Sequence, residues 1–300
     1  MATPDESTLE WAETVLGPFR VESHFAHTHG SSSLWRLAVG SDHVWLKMHS
    51  KPHKWACEVH ALTRWTDPLA PQALGWREQP EAVLLTECNG ADAKLVVDGV
   101  AKERLWTQAG NWLKRFHMRT NDWIGNVGTD GAPNGHTTSD PTFHVTKTFE
   151  SRLRQGRDTG LFSVDEIEFA ERTFRASSTS LVDARAHSVH RDFHPRNWLA
   201  ARDGTLTAVI DFEHARWDLR ASDLSRPWDE DFRRHPRLVD AFYEGYGSPD
   251  QRFMSQIQTF RLYANVVSAV WAAEVGDVEY SRFNHEALRR LMTHDSPVGE

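Results

Sequence analysis

The segment "SVHRDFHPRNWLA", residues 188–200, concentrates side chains that can do chemistry. Its polar members fall within eight positions and are His190, Arg191, Asp192, His194, Arg196 and Asn197. The segment lies between two short apolar stretches, "RAHSVH" and "TLTAVIDF", which the pattern predicts as strands. Asp211 is predicted to end the second strand. Because two neighbouring strand ends can bring side chains into one pocket, we expect Asp192, Asn197 and Asp211 to lie together.

These three side chains suit the transfer of a phosphoryl group. The oxygens of an amide and a carboxylate, Asn197 and Asp211, are ligands that Mg²⁺ accepts, and the ion takes its other ligands from water and from substrate phosphates. A second carboxylate that does not bind the metal, Asp192, can accept the proton of a hydroxyl group. Phosphoryl transfer depends on this kind of positioning and charge neutralisation.

The elements that must position the donor phosphates lie upstream. Strand-like segments, "FRVESHFAH", "SSLWRLAVG", "HVWLKMH" and "EAVLLTE", surround one helical segment, "HKWACEVHALTRW". This pattern predicts a small antiparallel sheet with one inserted helix. Lys47 on a strand fits a phosphate-contacting lysine, and Glu58 on the helix fits its carboxylate partner. The small-residue loop "HTHGSSS", residues 27–33, lies between the right strands to cover the phosphates.

Composition excludes several other classes of protein. The 300 residues carry a net charge of −8, which argues against broad nucleic-acid binding. No apolar run reaches the roughly 18 residues of a membrane span. The first residues lack the apolar stretch of a signal peptide, so we expect a cytoplasmic protein without membrane partners. The two cysteines, Cys57 and Cys88, are expected to be reduced thiols.

In their order along the chain these motifs resemble those of the aminoglycoside phosphotransferase family, the small-molecule branch of the protein-kinase-like fold. "HRDFHPRNWL" is similar to the family motif His-x-Asp-x-x-x-x-Asn, and "VIDFEHARWDLRASDL" is similar to its metal-binding segment. "LLTECNGADA" resembles the hinge between lobes, and "LKRFH" resembles a helix end that usually reads Leu-x-x-Leu-His. The resemblance covers most of the chain, from about residue 20 to about residue 290.

The resemblance implies an α+β, bilobal protein-kinase-like fold. Its N-terminal lobe would be an antiparallel sheet with one helix, and its C-terminal lobe would be mainly helical. The N-terminal nucleotide-binding lobe would span residues 1–86, the hinge residues 87–91, and the C-terminal catalytic and acceptor-binding lobe residues 92–300. A small-molecule hydroxyl acceptor would be its partner, and we expect a monomer or a weak dimer.

Residue by residue, the resemblance implies roles for the central side chains. Asp192 would be the catalytic base for the acceptor hydroxyl. Asn197 and Asp211 would hold Mg²⁺. Lys47 would contact the phosphates of the ATP or GTP donor and would be paired with Glu58.

Further positions follow from the same resemblance. The hinge backbone at Thr86 and Cys88 would contact the nucleobase. His190 and Asp223 would be structural and would brace the catalytic loop by hydrogen bonds. Glu213 would reach a metal-bound water.

The chain also departs from the family pattern. Arg191 stands where most members carry glycine. The cover loop holds a single glycine, so its phosphate contacts are expected from backbone N–H groups and hydroxyls. The residues concerned are Gly30, Ser31, Ser32 and Ser33.

The acceptor site is expected on the C-terminal lobe, between the catalytic loop and the last helices. Its candidate residues, in "RPWDEDFRRH" and "VWAAEVGDVEY", are Trp228, Asp229, Glu230, Asp231, Trp271, Glu274 and Asp277. Trp217 is a further aromatic candidate. An acidic pocket with aromatic walls would suit a polyamine such as an aminoglycoside or a basic peptide antibiotic.

We therefore expect a Mg²⁺-dependent O-phosphotransferase that moves the γ-phosphoryl group of ATP or GTP to a hydroxyl of a small molecule. An antibiotic of the aminoglycoside, basic peptide or nucleoside type is the first acceptor class, with resistance as the biological role. A metabolic kinase for choline, homoserine or a thiosugar is the alternative. A catalytically silent nucleotide-binding module is a further possibility from another class. A protein-substrate kinase is disfavoured because no Ala-Pro-Glu segment follows Asp211.

Overall fold

The computed structural model describes residues 4–26 and 32–294. The chain divides into two compact units: unit 1 comprises residues 1–109, 125–137 and 190–216, and unit 2 comprises residues 110–124, 138–189 and 217–300. The division into lobes at residues 87–91 stays a prediction. None of the described helices combines the length and the apolarity of a membrane span.

Unit 1 is built on a five-stranded antiparallel sheet with the order β1-β2-β3-β5-β4. Its strands are β1 (Arg20–Ala26), β2 (Ser32–Val39), β3 (Asp42–His49), β4 (Ala73–Glu78) and β5 (Glu81–Thr86). Gly40 turns the chain between β2 and β3 with a φ of 59°, a left-handed conformation that glycine adopts without strain. The predicted antiparallel sheet is confirmed. The strand β4 had not been predicted, because its glycine and its two charged residues weaken the apolar alternation.

Two helices accompany this sheet, α1 (Glu6–Leu16) and α2 (Pro52–Arg64). The helix α2, predicted from its apolar spacing, starts with a proline and is buried continuously from Trp55 to Leu62. The indole of Trp55 donates a hydrogen bond to the carbonyl of Ala82 on β5, at 3.1 Å. On another side, the Cys57 thiol donates to the carbonyl of Val127, at 3.6 Å. The sheet and the 125–137 loop therefore fix the position of α2.

A second, three-stranded sheet of unit 1 carries the polar cluster. It has the order β10-β9-β6, with β6 (Ala91–Asp92), β9 (Trp198–Ala200) and β10 (Leu206–Val209). Residues 99–109 of the helix α3 (Gly99–Phe116) also belong to unit 1, and Trp106 packs edge-on against Trp198 at 4.9 Å between ring centres. Strand β10 ends at Val209, two residues earlier than predicted, because the backbone of Asp211 turns to a φ of 66° and leaves the extended conformation.

Unit 2 is mainly helical, as predicted. Its helices are α4 (Pro141–Asp158), α5 (Val164–Ser177), α6 (Ala221–Pro227), α7 (Arg237–Tyr246), α8 (Gln251–Glu274) and α9 (Val278–His294). Short strands β7 (Thr120–Asn121), β8 (Ala186–Val189) and β11 (Arg216–Asp218) form a small sheet in the order β11-β8-β7. A capping box is present at the start of α5: Ser163 accepts from the Glu166 N–H, and Glu166 accepts from the Ser163 N–H.

The capping glutamate also joins α5 to α9. Its Oε1 accepts hydrogen bonds from His285 at 2.9 Å and from Arg289 at 2.6 Å. Burial raises the pKa of Glu166, but hydrogen bonds from Arg289, from the Ser163 N–H and from His285 outweigh it, so the pKa falls to about 2.

We expect the substitution Glu166→Gln to lower the free energy of unfolding by roughly 2 kcal/mol at pH 7. Glutamine preserves the cap but removes the charge. Because the folded-state pKa lies below the unfolded value, the carboxylate stabilises the fold above about pH 4.5, and the effect is lost as pH falls toward 2. Urea unfolding at pH 7 and pH 3.5 measures this. An equal difference between variant and wild type at both pH values would contradict the account.

Candidate active site

Lys47 is a lysine buried in the middle of a sheet strand. It pairs with Leu34 on β2 and with Val83 on β5, and its side chain is 4% exposed. A buried ammonium group is costly unless it is paired with opposite charge. Its Nζ contacts Glu58 Oε2 at 2.9 Å, Asp211 Oδ1 at 2.6 Å and Glu213 Oε2 at 3.2 Å. The pairing predicted between Lys47 and Glu58 is thus present, together with Asp211.

Charge pairing decides the protonation state of this cluster. Burial lowers the pKa of Lys47, but the negative charges of Asp211, Glu58 and Glu213 outweigh it and leave the pKa above its ordinary value. Burial likewise raises the pKa of Glu58, and the Lys47 charge and hydrogen bonding with His49 bring it below its ordinary value. Lys47 and Glu58 are therefore both charged at neutral pH.

Glu58 connects three segments of unit 1. From α2 it reaches Lys47 on β3, and its Oε2 lies 2.9 Å from His49 Nε2 at the end of that strand. Its Oε1 accepts a hydrogen bond from the backbone N–H of Phe212, at 3.2 Å. Because Phe212 directly follows Asp211, the helix α2 fixes the backbone on which the predicted metal ligand stands.

Glu213 and Lys54 extend this network. Lys54, on the first turn of α2, contacts Glu213 Oε1 at 2.6 Å, while the other carboxylate oxygen contacts Lys47. Burial raises the pKa of Glu213, but the charges of Lys47 and Lys54 outweigh it and lower the pKa well below its ordinary range. Glu213 thus bridges two lysines, an arrangement that the predicted role on a metal-bound water did not include.

Asp192 and Asn197 meet in the polar loop. Asn197 Nδ2 donates to Asp192 Oδ2 at 2.8 Å and to the Asp192 carbonyl at 2.9 Å. His194 Nε2 lies 3.2 Å from Asp192 Oδ1, and its Nδ1 accepts the backbone N–H of Arg196 at 3.1 Å. Since Nδ1 is an acceptor, Nε2 carries the proton and donates to Asp192. Both carboxylate oxygens of Asp192 are therefore held in place, and its side chain keeps 24% exposure.

Backbone hydrogen bonds join this loop to the Asp211 segment. The Ile210 N–H donates to the Asn197 carbonyl at 2.9 Å, and His190 Nε2 lies 3.1 Å from the Ile210 carbonyl. Hydrogen bonds therefore join the segment that carries Asp192 and Asn197 to the segment that carries Asp211. The bracing of the loop by His190 stays a prediction, and this hydrogen bond is the contact that would supply it.

Two non-glycine residues of the site have a left-handed backbone, Arg191 with a φ of 67° and Asp211 with a φ of 66°. This conformation costs of order 1–3 kcal/mol and persists where the surrounding structure enforces it, often at functional sites. Most members of the resembled family carry glycine at the position of Arg191. The left-handed backbone explains that preference, because glycine adopts this conformation without strain.

The structure describes only some of the residues that were predicted to contact the nucleotide. Thr86 ends β5, and its N–H donates to the Gln72 carbonyl at 3.0 Å, so a nucleobase would have to use another hinge group. Cys88 is a half-buried free thiol, and a side chain at nearby Gly90 would clash with Thr207. Ser32 begins β2, whereas Gly30 and Ser31 lie outside the described residues.

Comparison with family models identifies the relatives of this chain. Residues 46–257 match the model of the phosphotransferase enzyme family, APH. This chain belongs to that family. The match includes Lys47, the polar loop and Asp211, and the predicted small-molecule kinase is confirmed at this level. A search of curated proteins gave no match.

Solved structures of aminoglycoside phosphotransferases share the fold of this phosphotransferase. A thermostable mutant of APH(4)-Ia, in a ternary complex with AMP-PNP and hygromycin B, has a TM-score of 0.75 at 11% identity and covers 97% of this chain and 99% of its own. The GDP and kanamycin complex of APH(2")-IIia has a TM-score of 0.70 at 13% identity and covers 97% and 100%. The predicted protein-kinase-like fold class is therefore confirmed.

The acceptor candidates of the phosphotransferase lie in unit 2, and several of their carboxylates are already paired. Asp229 accepts from Arg261 at 3.1 Å, Glu230 from Arg226 at 3.0 Å, and Glu274 from Arg152 at 2.7 Å. The aromatic candidates differ in exposure: Trp271 is 39% exposed, whereas Trp228 is half-buried, with the Arg261 guanidinium carbon 5.6 Å from the centre of its ring. The remaining candidates are Trp217 and Asp231, both half-buried, and Asp277, which caps the start of α9.

Asp223 lies on α6 and holds the histidine at the end of α3. Its Oδ2 is 3.0 Å from His117 Nε2, and His117 Nδ1 is 2.8 Å from the Tyr246 hydroxyl. Burial lowers the pKa of His117 despite the opposing effect of Asp223, which favours a neutral ring that bonds on both sides. The bracing of the catalytic loop by Asp223 stays a prediction.

Proposed function

We propose that this phosphotransferase moves the γ-phosphoryl group of ATP or GTP to a hydroxyl of a small molecule, with Mg²⁺ bound at Asn197 and Asp211. One observation carries the proposal: Asp211 is ion-paired with the buried Lys47, which also pairs with the buried Glu58, and the Asp211 segment is hydrogen-bonded directly to the loop of Asp192 and Asn197. Such a set of a lysine, two carboxylates and an amide is what phosphoryl transfer requires.

Asp192 is the proposed base. The His194 N–H and the Asn197 amide each hold one of its carboxylate oxygens, which keeps the side chain in one orientation. Each oxygen has a further lone pair, so the carboxylate can still accept a proton from an acceptor hydroxyl. The proton passes from the hydroxyl oxygen to Asp192 as that oxygen forms its bond to the γ-phosphorus and the bond to the leaving diphosphate breaks.

The donor set fits Mg²⁺. Because the Asn197 nitrogen is used on Asp192, the amide can present its carbonyl oxygen to the metal. Asp211 has one oxygen on Lys47, and its side chain is 36% exposed, which leaves the second oxygen for a cation. Hard oxygen ligands of this type are those Mg²⁺ prefers. When bound, the ion would neutralise charge on the donor phosphates.

Lys47 is the proposed contact for those phosphates. Its ammonium group is charged and held by three carboxylates, and a bound nucleotide would compete with Asp211 for it. The complexes with GDP, ADP and AMP-PNP among the structural neighbours support a nucleotide donor here.

Antibiotic inactivation is the biological role we propose first, because structural neighbours form complexes with kanamycin and with hygromycin B. A metabolic small-molecule kinase is the second candidate. It is favoured by the pairing of Asp229, Glu230 and Glu274 with arginines, which removes the free acidic surface that a polycationic antibiotic would need.

The test is transfer of label from γ-labelled ATP and GTP, in parallel, to a panel of hydroxyl compounds. The panel contains aminoglycosides, basic peptide and nucleoside antibiotics, choline, homoserine, thiosugars, and phosphorylated or carboxylated alcohols. Label on one compound class that requires Mg²⁺ would support the proposal and select between the two roles. Nucleotide that binds tightly but is never spent on any compound would favour a silent binding module instead.

A further inference from the structure

Arginines outnumber the available carboxylates where α8 and α9 meet the segment 226–235 of unit 2. Asp229, which sequence patterns assigned to an acidic pocket, is 5% exposed and is held by Arg261 at 3.1 Å and by Asn265 at 3.4 Å. Glu230 is held by Arg226 one turn earlier. Both carboxylates are therefore already paired with arginines of the protein itself.

Arg290 on α9 is different from these paired arginines. Its Nε and Nη2 atoms are buried, and neither has a hydrogen-bond partner among the described residues. Its guanidinium carbon lies 6.0 Å from the centre of the Phe283 ring. This cation–π contact uses the face of the guanidinium group and gives its N–H donors no acceptor. Buried donors without acceptors are rare in native proteins, and each one calls for a partner.

The charges around Arg290 do not supply that partner. Burial lowers the pKa of Arg290, and the positive charges of Arg233 and Arg261 contribute to this lowering. Asp229 opposes it but is already bound to Arg261, and Glu286 opposes it from an exposed position one turn earlier on α9. Arginine does not lose its proton in proteins, so the site keeps an excess of positive charge.

We propose that Arg290, with Arg233 and Arg261 beside it, binds an anionic group, a phosphate or a carboxylate, carried by a small molecule. The two unpartnered nitrogens, Nε and Nη2, belong to the planar fork that binds such groups in a bidentate manner.

The deciding experiment is thermal unfolding of the full chain in inorganic phosphate, in succinate and in chloride, at matched ionic strength. Phosphate and succinate distinguish the two anion chemistries. For the wild type we expect the better anion to raise Tm by about 2 °C or more at saturating concentration. In Arg290→Met this shift should fall below half. Absence of any shift in the wild type, or a shift retained above half in the variant, overturns the proposal.

The substitution Arg290→Met is also expected to leave Tm in chloride unchanged or to raise it, although it removes a charged side chain. Methionine keeps an unbranched apolar stem against Phe283 and removes the unpaired charge, so Tm in chloride should be equal to or above that of the wild type. A clear fall in Tm would mean that the guanidinium already has a partner, and this would also overturn the proposal. Arg289→Met is the matched control: Arg289 is paired with Glu166 at 2.6 Å, so its loss should lower Tm and leave the anion shift intact.

A second variant covers the case in which Arg290→Met does not fold. Arg290→Lys keeps the charge but loses the fork, so we expect at least about threefold weaker binding of the better anion. Unchanged binding contradicts the proposal.

Titration of the same samples with ADP and GDP in Mg²⁺ separates the two claims. Nucleotide binding without an anion shift leaves the proposed function and removes the anion site. An anion shift that depends on Arg290, without nucleotide binding, retains the anion site and removes the proposed function.

Discussion

Replacing Asp192 by asparagine should reduce the rate of phosphoryl transfer by about 10²–10⁴-fold. Asparagine fills nearly the same volume and keeps one of the two acceptor oxygens, so it can accept from His194 or from Asn197 but not from both. Its amide cannot take the proton of a hydroxyl. Since Asp192 is not among the proposed phosphate contacts, nucleotide affinity should change little. The measurement is kcat for the acceptor found in the label-transfer panel, together with the Kd for ADP and GDP.

Asp203 provides the control for this substitution. It is an exposed aspartate between β9 and β10, and its carboxylate contacts Arg104 at 3.5 Å on the surface. Asp203→Asn removes the same charge from the same unit and should leave kcat within about twofold, as expected for a surface site away from the chemistry. Transfer by Asp192→Asn at a rate close to that of this control would exclude Asp192 as the base.

Replacing Lys47 by methionine should lower the free energy of unfolding by about 3–5 kcal/mol, because it leaves buried carboxylates without their cation. Glu58 is the most affected, since it is 1% exposed and Lys47 is its closest lysine, at 2.9 Å. The substitution should also weaken nucleotide binding by at least tenfold. Urea unfolding and nucleotide titration measure the two effects separately.

The pH dependence of this destabilisation has a definite sign. The Lys47 charge holds the pKa of Glu58 and Glu213 below their ordinary values, so the stabilisation is present above about pH 4.5 and is lost as pH falls. The difference between wild type and Lys47→Met should therefore shrink in acid. The double variant Lys47→Met/Glu58→Gln should be less destabilised than the sum of the two single variants, because the carboxylate no longer needs a cation.

Lys51 is the matched control on the lysine side. It is exposed at the start of α2, and Lys51→Met should change stability by less than about 0.5 kcal/mol. If Lys47→Met were no less stable than Lys51→Met, the ion-paired cluster would not contribute to the folded state.

The central site could be predicted from sequence because its residues break the patterns around them. Lys47 is a charge within an apolar strand, and the spacing of Asp192 and Asn197 has few structural explanations. The antiparallel sheet, α2 and the capping box of α5 follow from local periodicity and turn residues, which a single sequence contains. Glycine and charge obscured β4, where Gly75 and Arg77 interrupt the apolar alternation.

Contacts between distant segments could not be predicted in the same way. Lys54 contacts Glu213, and His49 contacts Glu58, because α2 packs beside the end of β3 and the Asp211 segment. The role of His194 had a local signal, a histidine two residues after the proposed base, but its tautomer depends on the Arg196 N–H. The acidic segment after Pro227 was predicted to line an acceptor pocket because the arginine partner of Asp229, Arg261, lies on another helix.

The most direct test of the central claim requires no knowledge of the acceptor. It is calorimetric titration of the protein with ADP and GDP, with and without Mg²⁺, for the wild type and for Asp211→Asn. We predict that at least one nucleotide binds in a Mg²⁺-dependent manner and that Asp211→Asn weakens this binding at least tenfold, since the variant lacks the charged metal ligand. Failure of the wild type to bind either nucleotide, or binding that is indifferent to both Mg²⁺ and Asp211, would contradict the assignment of this cluster as a phosphotransfer site.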